Sequence, residues 1–190
     1  MDYLQVSTDW GDWSDIARIA EDFDLMMDLV INHCSREHLW FIDYISNREP
    51  YTDYFIEVDP SQDVSAVTRP RNTPLLSPVY AQRGRSHVWA TFSDDQIDLN
   101  FANPAVLLEF VRILLLYIEK GARFIRLDAI AFFWKQLVSN CLHLPQTHAL
   151  VKLLRDIVEL CAPDVLIITE TNVPVAENLS YFGQSDEAHM

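Results

Sequence analysis

The stretch Gly121-Ala122-Arg123-Phe124-Ile125-Arg126-Leu127-Asp128 decides the fold class. From Ala122 to Leu127 it is a short, mostly apolar run of strand length, and it closes on an acid. Just upstream, Asn103-Pro104 marks a helix start, an N-cap followed by proline in the first turn. Val106, Leu107, Phe110, Val111, Leu114, Leu115 and Ile118 give that helix a stripe to bury, and Gly121 stops it. Downstream, a helix from about Thr147 to Cys161 leads into Asp164–Thr169, a second apolar strand, which ends at Glu170. Toward the N-terminus, Ile16, Ile19, Ala20 and Phe23 recur at helical spacing behind Ser14 or Asp12 as N-cap. The run Leu25–Ile31 then suits a strand buried on both faces, and Asp28 within it requires a partner. Helix and strand alternate, so the chain reads as α/β with a parallel sheet.

Between these elements the pattern changes. Ser35 is a plausible N-cap for a helix through Leu39-Trp40-Phe41-Ile42 to Ile45, closing near Asn47 and Pro50. From 50 to 100 the prolines Pro50, Pro60, Pro70, Pro74 and Pro78 crowd the chain, which predicts a long loop-rich excursion. Excursions of that length are usually functional.

Composition narrows the function classes. The 190 residues carry 28 acids against 14 Lys and Arg, a formal net charge of -14, so the surface repels nucleic-acid backbones and anionic membranes. No apolar run approaches the roughly 18 residues that span a bilayer, and Met1-Asp2-Tyr3-Leu4 lacks a signal-like flank, so a cytoplasmic location is expected. Cys34, Cys141 and Cys161 are scattered without CxxC spacing, which predicts reduced thiols. With glycine only at 11, 84, 121 and 183, no GxGxxG or GxxxxGK phosphate loop can be written.

In parallel α/β architectures reactive groups sit at the carboxyl ends of strands, where Asp128 and Glu170 stand. Two carboxyl groups at one mouth can divide labour in glycoside chemistry, one attacking the anomeric carbon and the other protonating the leaving oxygen. Arg126 is two residues before Asp128, so on a strand both side chains point the same way, and the cation favours the ionised carboxylate. Arg126 is also the natural mate for Asp28 on the neighbouring strand. Position alone equally suits acids that begin loops or cap helices.

Four ordered blocks add to this reading. Asp28-Leu-Val-Ile-Asn32-His33, Gln96-Ile-Asp98-Leu-Asn100, Gly121 to Asp128 and Ile168-Thr-Glu170-Thr-Asn172 together resemble the signature regions of the α-amylase superfamily, glycoside hydrolase family 13. Val67-Thr-Arg-Pro-Arg71, Val88-Trp-Ala-Thr-Phe-Ser93 and His143-Leu-Pro-Gln-Thr-His148 look further like its sucrose phosphorylase branch. The resemblance implies Asp128 as nucleophile, Glu170 as general acid/base and Arg126 as the group orienting the nucleophile. It implies Asp28 and Asn32 as support and His33 as a hydrogen-bonding group of the glucose pocket.

The implied fold is a partial (β/α)8 barrel, with the strands ending at Asp28, Asp128 and Glu170 as about the third, fourth and fifth. Residues 1–49 and 101–190 would be barrel, and 50–100 an insertion resembling the family's small domain B. The family's last His-Asp signature has no match, and a complete barrel needs about 250 residues, so a fragment with open sheet edges prone to self-association is expected. The implied activity is retaining α-glucosyl transfer from sucrose, phosphorylated sucrose or glucosylglycerate to inorganic phosphate. A hydrolase or transglucosylase of the same superfamily, or a non-catalytic remnant, are the rivals. Arg69 and Arg71, grouped with Arg83 and Arg85, are candidates for an anion contact. Neither His33, Cys34 and His38 nor His143 and His148 have good zinc spacing, and no cofactor or metal is expected.

Overall fold

A computed structural model describes residues 2–171 and 173–183; Asn172 of the fourth signature block lies outside the described residues. The elements in chain order are α1 (Trp13–Asp22), β1 (Leu25–Val30), β2 (His33–Ser35), α2 (Leu39–Ile45), β3 (Leu76–Ala81), β4 (Gly84–Trp89), β5 (Gln96–Asp98), α3 (Pro104–Glu119), β6 (Ala122–Asp128), α4 (Pro145–Cys161), β7 (Leu166–Thr169) and α5 (Val175–Asn178). They fall into two compact units, one comprising Ile31–Leu108 and Phe132–Leu142, the other Asp2–Val30, Glu109–Ala131 and the described part of His143–Met190.

The second unit holds a three-stranded parallel sheet in the order β1-β6-β7. The parallel α/β reading is thus what the chain adopts: α3 starts at its Asn103-Pro104 signal, β6 follows its apolar run, and α4 begins two residues before the expected Thr147 and ends at Cys161. Gly121 sits between α3 and β6 at φ 98°, and a Cβ there would lie 2.8 Å from the Ala20 methyl of α1. A left-handed backbone and a close approach both require glycine at that point.

Several expectations change. β1 is not buried on both faces: only Leu29 is fully covered and Met26 is 57% exposed. Among the described residues it pairs with β6 alone, as an edge strand does. Asp28 is correspondingly exposed, not buried. Of the two caps read for α1, Asp12 is the one the chain uses, in a capping box with Asp15, but none of the helix's apolar residues is buried. In α3 the buried residues include Val106, Phe110, Ile113 and Leu114, whereas Leu115 is exposed.

In the first unit His38, not Ser35, caps α2, its Nδ1 accepting from Trp40 N at 3.2 Å. Ser35 ends β2, and its hydroxyl donates to the Asp95 carboxylate at 3.1 Å. The 50–100 excursion is more ordered than its prolines predict. β3 and β4 form a hairpin, β5 returns to pair antiparallel with β2, and Phe55 and Glu57 bridge to Leu99 and Val88. Pro78 fits inside β3 because each strand of a two-stranded sheet is an edge, where a missing N–H is tolerated. Val58, Val67, Leu75, Trp89 and Cys141 pack as a core of this unit.

Candidate functional site

In the second unit, parallel register sets Asp28 beside Arg126 and Val30 beside Asp128. Arg126 therefore reaches both acids: Nη1 lies 3.3 Å from Asp28 Oδ1, and Nη2 lies 3.1 Å from Asp128 Oδ1. One guanidinium holds two carboxylates in a fixed order, the use of a planar fork that a lysine cannot copy. All three are partly open to solvent, so the pairs orient more than they stabilise.

Glu170 is fastened at both ends to the backbone around Asp128. Its N–H donates to Leu127 O at 3.0 Å, and its Oε2 accepts from Ala129 N at 3.2 Å. Ala129 adopts φ 54°, an uncommon conformation for a residue with a Cβ, and it turns its amide onto the Glu170 carboxylate. The structure thus brings Asp28, Arg126, Asp128 and Glu170 together at the carboxyl ends of adjacent strands.

In the first unit Asn32 and His33 belong to a buried polar network. Asn32 Nδ2 donates to Asp98 Oδ2 at 3.0 Å, and Asn32 Oδ1 accepts from Lys135 Nζ at 2.7 Å. Lys135 also pairs with Asp98 at 2.7 Å, their side chains 4% and 0% exposed, and gives its third hydrogen to Phe132 O. Thr91 completes the Asp98 shell through its N–H at 2.8 Å and its hydroxyl at 2.6 Å. Every hydrogen of the ammonium and both carboxylate oxygens are matched, which a buried ion pair needs. His33 touches Gln96 through Nε2 at 2.8 Å, and its ring lies 5.2 Å from that of Phe92.

Sequence reading missed Lys135 altogether and gave Asp98 no role. The available signal was a lone cation directly behind Ile130-Ala-Phe-Phe-Trp134, where only a partnered charge can sit.

Arg69 and Arg71 are exposed, and no carboxylate among the described residues lies within ion-pair distance of either. Arg83 is committed to Glu57 and lies 4.6 Å over the Tyr44 ring, and Arg85 lies 6.0 Å over that of Tyr80.

His143 and His148 meet around Tyr181 in the second unit. His143 Nδ1 is 2.8 Å from the Tyr181 hydroxyl, its Nε2 is 3.2 Å from Glu177 Oε2, and the His148 ring stacks on Tyr181 at 4.4 Å. Burial, and then the neighbouring His143, hold the His148 imidazole below its usual range, and burial pushes the Tyr181 phenol up. Burial likewise raises the Cys34 thiol. Among the described residues no three His, Cys, Asp or Glu side chains gather as metal ligands, and no helix is long and apolar enough to cross a membrane.

Comparison with known proteins identifies the family. The chain is 55% identical over its full length to a glucosylglycerate phosphorylase of Spirochaeta thermophila and 51% identical to one of Escherichia coli, covering 32% and 34% of those proteins. It spans about a third of the length of these relatives. The crystal structure of sucrose 6F-phosphate phosphorylase from Thermoanaerobacter thermosaccharolyticum superposes with a TM-score of 0.81 at 22% identity, over 90% of this chain and 38% of that one. Residues 1–190 match the family described as alpha amylase, catalytic domain, and the chain belongs to that family.

Proposed function

We propose that this chain carries the catalytic carboxylates of a retaining α-glucosyl phosphorylase acting on glucosylglycerate, with sucrose or a phosphorylated sucrose as the other donors. The observation that carries this reading is the 55% identity over the whole chain to a glucosylglycerate phosphorylase. In the proposed cycle the Asp128 carboxylate attacks the anomeric carbon, the glycosidic bond breaks, and Glu170 gives its proton to the departing oxygen. An oxygen of inorganic phosphate then attacks the same carbon, Glu170 takes the phosphate proton, and Asp128 is released with glucose 1-phosphate as product. Arg126 would orient Asp128, Asp28 and Asn32 would support the site, and His33 would hydrogen-bond the glucosyl ring. Arg69 and Arg71 would contact the anionic acceptor.

β1, β6 and β7 would be the third, fourth and fifth strands of a (β/α)8 barrel, with residues 1–49 and 101–190 as barrel and 50–100 as the domain B-like insertion. β1 and β7 are the outer strands of the sheet, and Met26, Leu166 and Ile168 on them are exposed. Further barrel strands, or a second copy of the chain, would pair there. A cytoplasmic site of action belongs to the same proposal.

The test is glucose 1-phosphate formation from glucosylglycerate, and separately from sucrose, in the presence of phosphate. Asp128→Asn is the blank and should abolish turnover. Free glucose in place of glucose 1-phosphate would favour the hydrolase reading. No product from either donor would favour a non-catalytic remnant.

A further inference from the structure

Both ring nitrogens of His33 face the amino end of an amide. Asn32 Nδ2 lies 3.4 Å from His33 Nδ1, and Gln96 Nε2 lies 2.8 Å from His33 Nε2. A neutral imidazole has one N–H and one bare nitrogen, so it cannot accept at both. One amide must turn over.

Asn32 is locked. Lys135 only donates, and it sits against Asn32 Oδ1, while Asn32 Nδ2 is taken by the Asp98 carboxylate, which only accepts. Reversing this amide would set ammonium against NH2 and carbonyl against carboxylate in a fully buried site. Gln96 is not locked. Its Oε1 accepts from the Ser93 hydroxyl at 2.9 Å, and a hydroxyl accepts as readily as it donates. Turned over, Gln96 keeps its bond to Ser93 and offers Oε1 to His33, since the two ends of an amide have the same shape.

We propose that Lys135 is a positioning residue which, through Asn32, fixes His33 as the Nε2–H tautomer with Nδ1 bare. The relay runs from the ammonium to the Asn32 carbonyl, and from the Asn32 amino group to the ring. Phe92 holds the plane of the imidazole, and the relay sets which edge carries hydrogen. If His33 lines the glucosyl pocket, a sugar oxygen would meet Nε2–H as a donor by taking the place of Gln96 Oε1. That consequence rests on the proposed function; the tautomer does not.

Selective 15N labelling of histidine and long-range proton–nitrogen correlation on this chain read the tautomer directly. The expected wild-type pattern for His33 is a protonated, pyrrole-type Nε2 and a bare, pyridine-type Nδ1. Lys135→Met should replace it with an average of the two tautomers. Asn32→Ala, which leaves the Lys135–Asp98 pair in place, should do the same and carries the test should Lys135→Met not fold. A protonated Nδ1 in the wild type, or an unchanged Nε2–H pattern in Asn32→Ala, overturns the proposal. Phosphorolysis measured on the same samples separates the two ideas. A wild-type Nε2–H signature without turnover supports the relay and removes the activity, whereas turnover with a protonated Nδ1 removes the relay and keeps the activity.

Discussion

Replacing Lys135 with methionine should cost the chain about 3–5 kcal/mol, the range for breaking one partner out of a buried ion pair. The figure follows from the site. Lys135 and Asp98 are 4% and 0% exposed and 2.7 Å apart, so water cannot take the place of the lost ammonium. The carboxylate would keep its bonds from Thr91 and Asn32 but no neutralising charge. For a chain of this size such a loss lowers Tm by roughly 6–20 °C. Total stability is itself only about 5–15 kcal/mol, so the melts belong in a stabilising osmolyte such as trimethylamine N-oxide, with wild type under the same conditions. Asp98→Leu should be at least as damaging, because it also strands the Thr91 N–H. The double variant should cost well under the sum of the two, since each single change leaves a charge that the other removes. A loss below about 1 kcal/mol for Lys135→Met, the value of an exposed pair, would refute the reasoning, as would strict additivity in the double variant.

Three further outcomes are expected. Because His148 is held below its usual value of 6.5, the unfolded chain takes up that proton first as pH falls, so stability should decline from about pH 6.5 downward until the folded imidazole also titrates. Urea midpoints against pH should show this slope, and His148→Gln should flatten it; an unchanged slope would remove His148 as its source. Of the three thiols, the exposed Cys161 should react with a maleimide in the native chain, while buried Cys34 and Cys141 react only after denaturation, as counted by intact-mass analysis. Gly121→Ala should destabilise by about 1–3 kcal/mol in chemical denaturation, because it strains φ 98° and drives a methyl into Ala20.

What was legible in the sequence were the features written locally. The Asn103-Pro104 start, the Gly121 stop and the apolar runs into Asp128 and Glu170 each depend on a few neighbouring residues, and each stands where those residues put it. Coverage was not legible, because an apolar strand such as β1 reads the same whether one neighbour covers it or two. Asp28 was misjudged for that reason. The hairpin of β3 and β4 was hidden because Pro78 breaks the strand signal and Gln82-Arg83 is not a customary two-residue turn. Arg126 between Asp28 and Asp128 could be foreseen from two-residue periodicity and parallel pairing, which are short-range rules. The Lys135–Asp98 pair joins residues 37 positions apart and left only the trace of a cation in apolar company.

Glu170 is tied to Leu127 O by its backbone and to Ala129 N by its carboxylate, one contact on each side of Asp128. The two acids therefore share a mounting. When the end of β6 shifts thermally, both carboxyl groups travel with it, so motion that would blur their absolute positions is common-mode and largely cancels in their separation. For any chemistry that depends on the gap between two groups rather than on where either lies, the tolerance is set by the two peptide units that flank Asp128 and not by the stiffness of the strands on which the acids are carried.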